Sequence, residues 1–211
     1  MEPLYADKRI YVCKKPFGMV STDQPGGLPE LVRQALGDPS ACVRTVHRLD
    51  QVTGGVMVLA RSRRAAQLLS EQVRNGGMEK VYLAVTEGVP DPSAGILRDL
   101  LLRDRVQRRT LVAHAPGKGV QEAVLNYEVL SRCQGMALVR VKLGTGRTHQ
   151  IRCQFAHRGW PLVGDGKYGA QPQKMEGIAL WSHSLRFRHP ETGEELCFTA
   201  PPPETWPWQV F

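Results

Sequence analysis

A short polar loop, His47-Arg48-Leu49-Asp50-Gln51-Val52-Thr53-Gly54-Gly55, runs straight into an apolar stretch and gathers an imidazole, a guanidinium, a carboxylate and a hydroxyl within seven positions. An ionised carboxylate such as that of Asp50 can add to an electrophilic carbon or take up a proton. An aspartate in such a loop is more often a turn cap or a surface ion-pair partner than a catalyst, and spacing alone does not choose between these readings. His47, His149 and His157 have no ligand spacing with cysteine or carboxylate partners, so no metal site is expected. The five cysteines, Cys13, Cys42, Cys133, Cys153 and Cys197, contain no C-x-x-C pair and suggest neither a zinc site nor a disulfide framework. No G-x-G-x-x-G and no Walker loop occurs, so nothing points to a nucleotide cofactor.

The elements that must carry this loop are mostly strands. Runs rich in valine, leucine and tyrosine occupy Arg9 to Lys14, Gly55 to Ala60, Val81 to Thr86 and Ala123 to Ser131. Val139 to Leu143 alternates, with aliphatic residues on one face and Arg140 and Lys142 on the other. Cys133-Gln134-Gly135 reads as the hairpin turn before it. Helical periodicity is confined to three places. Residues 28–36 space Leu28, Leu31, Val32, Ala35 and Leu36 by three and four, with Gly37 as the stop. Residues 63–75 follow Ser62, a candidate N-cap, and end at Gly76-Gly77. Residues 149–158 place Ile151 and Phe155 on one face, with Thr148 as the expected cap and Gly159 as the close. Hairpin-linked strands with scattered helices predict an α+β fold on a mixed, mostly antiparallel sheet, not a parallel doubly wound one.

The chain of 211 residues carries 28 Lys plus Arg against 20 Asp plus Glu, a net charge of +8. Such a balance suits a polyanionic partner and equally suits a protein whose charge only keeps it dissolved. A basic stretch, Ile96 to Val112, holds Arg98, Arg103, Arg105, Arg108 and Arg109 between loop-like segments at Pro90 to Gly95 and Ala115 to Gly119. It reads either as an arm that grips phosphates or as a solvated surface segment. The first residues lack an apolar signal core, and no apolar run approaches the ~20 residues needed to span a bilayer, so a cytoplasmic protein is the default expectation.

The loop around Asp50, with Thr53 and Gly55, resembles the motif around the catalytic aspartate of RluA-type RNA pseudouridine synthases. Further blocks follow in the family's order: Lys15-Pro16-Phe17-Gly18, Lys80-Val81-Tyr82-Leu83-Ala84, and Thr145-Gly146-Arg147-Thr148-His149-Gln150-Ile151-Arg152. Gly164-Asp165-Gly166-Lys167-Tyr168-Gly169 and Phe187-Arg188-His189-Pro190-Glu191-Thr192-Gly193 are similar to its closing pieces. The chain departs from the pattern at Thr53-Gly54-Gly55, where the family has Thr-Ser-Gly, and at Trp181-Ser182-His183-Ser184, where it has Leu-His-Ala.

The resemblance implies the bent sheet of the pseudouridine synthase catalytic fold over residues 1–211. Lys15-Pro16 falls too early for an N-terminal RNA-binding module, so a catalytic domain standing alone is expected, with no obligate protein partner, as a monomer. It implies an isomerase of RNA, ribosomal or transfer, that detaches uracil and rejoins it through carbon. Nothing is oxidised and no cofactor is required. Asp50 is implied as the catalytic carboxylate, by addition to sugar or base or by assisting ribose deprotonation. The matched motifs make Arg147 its guanidinium partner, lowering the aspartate's pKa against desolvation, and Tyr82 the ring that stacks on uracil. Arg48 is implied to fill the gap left by the flipped nucleotide, His47 to order the loop, and both are counted with Thr53 among the substrate- and RNA-binding residues. Arg103, Arg105 and Arg108 are the candidate phosphate contacts. Two rivals remain at this level: a catalytically inactive RNA-binding protein of the same fold, and a glycosidase-like hydrolase using paired carboxylates.

Overall fold

The computed structural model describes residues 1–211, with eleven strands and three α-helices. In chain order these are β1 (Tyr5–Ala6), β2 (Ile10–Lys15), α1 (Leu28–Ala35), β3 (Arg44–Thr45), β4 (Gly54–Ala60) and α2 (Arg63–Arg74). There follow β5 (Glu79–Glu87), β6 (Ala94–Asp104), β7 (Arg109–Ala113), β8 (Val120–Cys133), β9 (Met136–Leu143), α3 (Gln150–His157), β10 (Leu180–Arg188) and β11 (Glu195–Thr199). The α+β class and the dominance of antiparallel pairing match the sequence expectation. Backbone packing separates two compact units, Met1–Lys80 with Ser182–Pro201, and Val81–Trp181 with Pro202–Phe211.

In the first unit β2 is the centre of a ladder, pairing antiparallel with β1 and with β4, while β3 pairs with β4 and β11 with β10. Every residue of β4 is buried, so its valine-rich run has no solvent face. Ile10, Val12, Val56 and Val58 share a core with Ala65 and Leu69 of α2 and with Leu185 and Phe187 of β10. Ser62 caps α2 as expected, its hydroxyl accepting the Ala65 N–H at 3.1 Å. Buried His189 donates from Nε2 to Asp7 at 2.9 Å, and its Nδ1 accepts the N–H groups of Glu191 and Thr192. The Pro190 to Gly193 turn is thereby fastened to the turn that precedes β2.

In the second unit the strands lie in the order β5-β9-β8-β6-β7, all antiparallel to their neighbours. Gln134 and Gly135 link β8 to β9 with φ of 51° and 76°, the mirror-image turn that suits strand twist. The basic stretch Ile96 to Val112 folds into paired strands. It is most of a β-hairpin, with Arg103 opposite Thr110 and Asp104 opposite Arg109. The alternation was masked there because leucines of β6 fall on both faces. Helix α3 lies along this sheet, with Cys153 packed on Leu101 and Ala123 and Phe155 edge-on to Tyr127 at 5.6 Å. Thr148 does not cap it. His149 occupies the cap position in the left-handed region, φ 54°, and the side chain of Gln150 supplies the turn's acceptor instead.

Candidate active site

In the first unit Asp50 is half-buried and opens a tight turn, its carbonyl accepting the Thr53 N–H at 3.0 Å. The flanking backbone is held on both sides. Ser21, itself buried, donates its hydroxyl to the Leu49 carbonyl at 2.8 Å and accepts the Leu49 N–H at 3.1 Å. On the far side the Gly18 N–H reaches the Gln51 carbonyl at 2.9 Å, and the Gln51 amide returns to the Gly18 carbonyl at 2.8 Å.

The strongest anchor is Lys15, the last residue of β2 and fully buried. Its ammonium donates to the carbonyls of Met19 at 2.7 Å, Pro16 at 2.9 Å and Gln51 at 3.4 Å. Burial pulls its pKa down to about 8, and the charge of Asp50 acts in the opposite direction. Lys15 therefore ties the Pro16 to Met19 turn to the Asp50 loop and sets a positive charge beside Asp50. Sequence reasoning counted Lys15 only as part of a matching block. The signal was available in the pair Lys14-Lys15, because strand alternation turns one of two adjacent lysines inward.

His47 is buried, and its Nε2 accepts the Val58 N–H at 3.1 Å. Burial drives its pKa down to about 3, helped by the nearby charge of Lys80, so it is neutral at ordinary pH and carries its proton on Nδ1. It orders the loop against β4, and the Nε2 lone pair that could take up a proton is held by the Val58 N–H. Thr53 is also buried, and its hydroxyl makes no hydrogen bond. Arg48 is exposed. Gly55 takes φ 118° against the backbone of Ser182, whose hydroxyl donates to the Val56 carbonyl at 2.9 Å. The chain's departure from the family pattern at Ser182 is thus accommodated without an unsatisfied buried group.

In the second unit Tyr82 of β5 is buried and stands opposite Val141 of β9. Arg147 is half-buried in the turn that leads into α3, its Nε donating to the Glu122 carbonyl at 2.9 Å. That turn is built around Gln150, which the sequence showed only as part of a matching block. Its Oε1 accepts the Arg147 N–H at 2.9 Å and the Thr145 hydroxyl at 2.8 Å, while its Nε2 donates to the Val124 carbonyl at 3.1 Å. A buried amide satisfied on both ends fixes the Arg147 backbone to β8. Of the three candidate phosphate contacts, Arg105 and Arg108 are exposed at the β6–β7 turn. Arg103 is half-buried, its guanidinium 3.5 Å from His149 Nδ1, which in turn lies 2.9 Å from the Tyr168 hydroxyl. Asp165 and Arg152 form a buried bidentate pair at 2.7 and 2.8 Å, with the guanidinium 5.1 Å from the Tyr168 ring centre.

The α+β fold is that of a known class of RNA-modifying isomerase. Residues 9–157 match the RNA pseudouridylate synthase family, and the chain belongs to that family, in its RluA-type branch. It is similar to the uncharacterized RNA pseudouridine synthase YlyB of Bacillus subtilis, with 36% identity over 95% of this chain and 68% of the relative. The ribosomal large subunit pseudouridine synthase D of Pseudomonas aeruginosa is 34% identical over 99% of this chain and 70% of its own length. Among solved structures, human RNA pseudouridylate synthase domain containing 4 superposes with a TM-score of 0.78 at 28% identity, covering 95% of this chain and 88% of that one. The protein is an enzyme that isomerises uridine in RNA to pseudouridine, and the hydrolase reading falls away. No helix is long and apolar enough to cross a membrane.

Proposed function

We propose that this enzyme acts on uridines of large-subunit ribosomal RNA, with Asp50 as its catalytic carboxylate and Tyr82 and Arg147 as the residues that stack on the base and pair with the carboxylate. The observation that carries the proposal is the clamp on the Asp50 turn: Ser21, Gly18 and Lys15 hold the residues on either side of it. A preorganised carboxylate is worth far more to a transition state than a mobile one. The ribosomal target follows the name of the Pseudomonas aeruginosa relative and fits the net charge of +8.

The reaction breaks the N1–C1′ bond and forms a C5–C1′ bond. The C5 proton departs to solvent, N1 gains one, and no electron pair leaves the nucleotide, so no cofactor enters the balance. Arg48 occupies the space vacated by the flipped nucleotide, and His47 and Thr53 shape the loop. The enzyme works in the cytoplasm as a monomer.

The test is release of tritium from unmodified large-subunit ribosomal RNA transcribed with label at uridine C5. The native chain releases label and Asp50→Asn releases none. Equal release by both would remove Asp50 from its role, and release from transfer RNA transcripts alone would replace the ribosomal target.

A further inference from the structure

The β6–β7 hairpin ends in Arg105-Val106-Gln107-Arg108, and Val106 is 93% exposed, the most open of the large hydrophobic residues. Single exposed aliphatic residues are common and by themselves mean nothing. This one sits on a turn that is built to stand still. The Asp104 carboxylate accepts the N–H groups of both Val106 and Gln107 at 2.9 Å. Arg108 takes a positive φ of 50°, and its carbonyl accepts from Lys167 at 3.5 Å. Below the turn, Thr110 is tied to the Tyr168 hydroxyl at 2.7 Å and to the Thr148 carbonyl at 2.8 Å. A β-branched side chain adds its own stiffness at χ1.

The charges around Val106 distinguish this surface from the rest of the sheet. The exposed Arg98 and Arg140 are neutralised by Glu122 and Glu128 on neighbouring strands. Arg105 and Arg108 have no carboxylate partner, and the one acid of the tip, Asp104, is committed to backbone N–H groups. A rigid apolar point between two free guanidinium groups matches a nucleic acid, in which apolar wedges enter base steps while arginines hold the flanking phosphates.

We infer that Val106 is a wedge that enters the stacked bases of the RNA substrate, with Arg105 and Arg108 on the adjoining phosphates. This rests on the reading of folded RNA as the substrate and adds the contact that opens it. Wedge and phosphate contacts separate by salt dependence, because released counterions belong only to the latter.

The experiment titrates unmodified large-subunit ribosomal RNA with the full chain across a salt series, and follows tritium release in parallel. Val106→Ser should weaken binding about tenfold at every salt concentration and leave the slope of log affinity against log salt unchanged. Val106→Leu should bind as well as the native chain. Arg105→Ser and Arg108→Ser should each flatten the slope by about 0.7 to 0.9. Thermal unfolding checks that all four variants fold, as exposed positions should allow. If Val106→Ser binds like the native chain while the native chain releases tritium, the wedge is refuted and the substrate reading stands. That result would make the tip an ordinary surface or a protein contact. If the native chain releases no tritium from this RNA, the ribosomal reading fails and takes the wedge with it.

Discussion

The ammonium of Lys15 donates to the carbonyl of Gln51 at 3.4 Å, one residue beyond Asp50, from a position in β2 that no solvent reaches. The same group holds Met19 and Pro16, so one cation organises two loops that the chain separates by more than thirty residues. Replacing it by methionine keeps most of the volume and removes every donor. Lys15→Met should lower single-turnover tritium release by about tenfold to a hundredfold, since a displacement near 1 Å at a reacting group has that effect. RNA affinity should change little. The lysine pKa of about 8 adds a signature: deprotonation above that value removes the charge beside Asp50, so native turnover should fall on the alkaline side and Lys15→Met should lack that limb. Native turnover in the variant would leave Lys15 a structural ion only.

His47 gives a stability signature on the acid side. Its pKa in the folded protein is about 3 against an ordinary 6.5, because burial and then Lys80 disfavour the imidazolium. Between those values the unfolded chain binds more protons than the folded one, so stability rises with pH. The contribution is complete above pH 6.5 and is lost as pH falls toward 3. His47→Gln keeps an acceptor for the Val58 N–H and cannot titrate. Urea unfolding of the two proteins should therefore converge by about 2–3 kcal/mol between neutrality and pH 4. A constant difference across that range would mean His47 titrates normally.

A β-carbon on Gly55 would stand 2.3 Å from the Ser182 carbonyl oxygen and 2.5 Å from its nitrogen, with φ at 118°. Backbone atoms cannot retreat as the end of a flexible side chain can. Gly55→Ala is expected to cost about 3 kcal/mol or more, combining overpacking with a backbone conformation that alanine resists. Denaturant unfolding measures the loss, and unfolding at the native midpoint would show that β4 and β10 part easily. Catalysis should fall with it, since β4 begins four residues after Asp50 opens its turn.

Local sequence made most of the fold legible, and for a physical reason: α1, α2 and β9 carry their burial pattern in residue spacing, while β2 and β4 show as apolar runs buried on both faces. The β6–β7 hairpin did not, because leucines at Leu100, Leu101 and Leu102 blur the alternation, and the arginines fit a basic arm or a solvated surface segment of any backbone form. The end of α3 nearest Arg147 was misread because its first acceptor belongs to Gln150 inside the helix, while the capping position is a left-handed histidine. Asp50 was legible only through the motif around it. What fixes its turn, Lys15 and Ser21, lies about thirty residues earlier in the chain, and contacts over that separation leave no spacing to read.

The Arg152–Asp165 pair supplies the last test. Both side chains are nearly inaccessible, at 6% and 1%, and two parallel hydrogen bonds join α3 to the loop that precedes Tyr168. A buried pair adds little over a well-packed apolar substitute, but removing the carboxylate leaves the buried guanidinium without its counter-charge in a medium that solvates it poorly. Asp165→Asn should therefore destabilise the protein by about 3–5 kcal/mol, while the double change Arg152→Met with Asp165→Leu should recover most of that loss. Tyr168, which receives the Thr110 N–H and meets His149, would lose its support in the single variant. RNA binding at the hairpin should then weaken in Asp165→Asn even at temperatures where it remains folded. If the single and double variants unfold at the same denaturant concentration, the cost lies in lost packing and the charge pair is incidental.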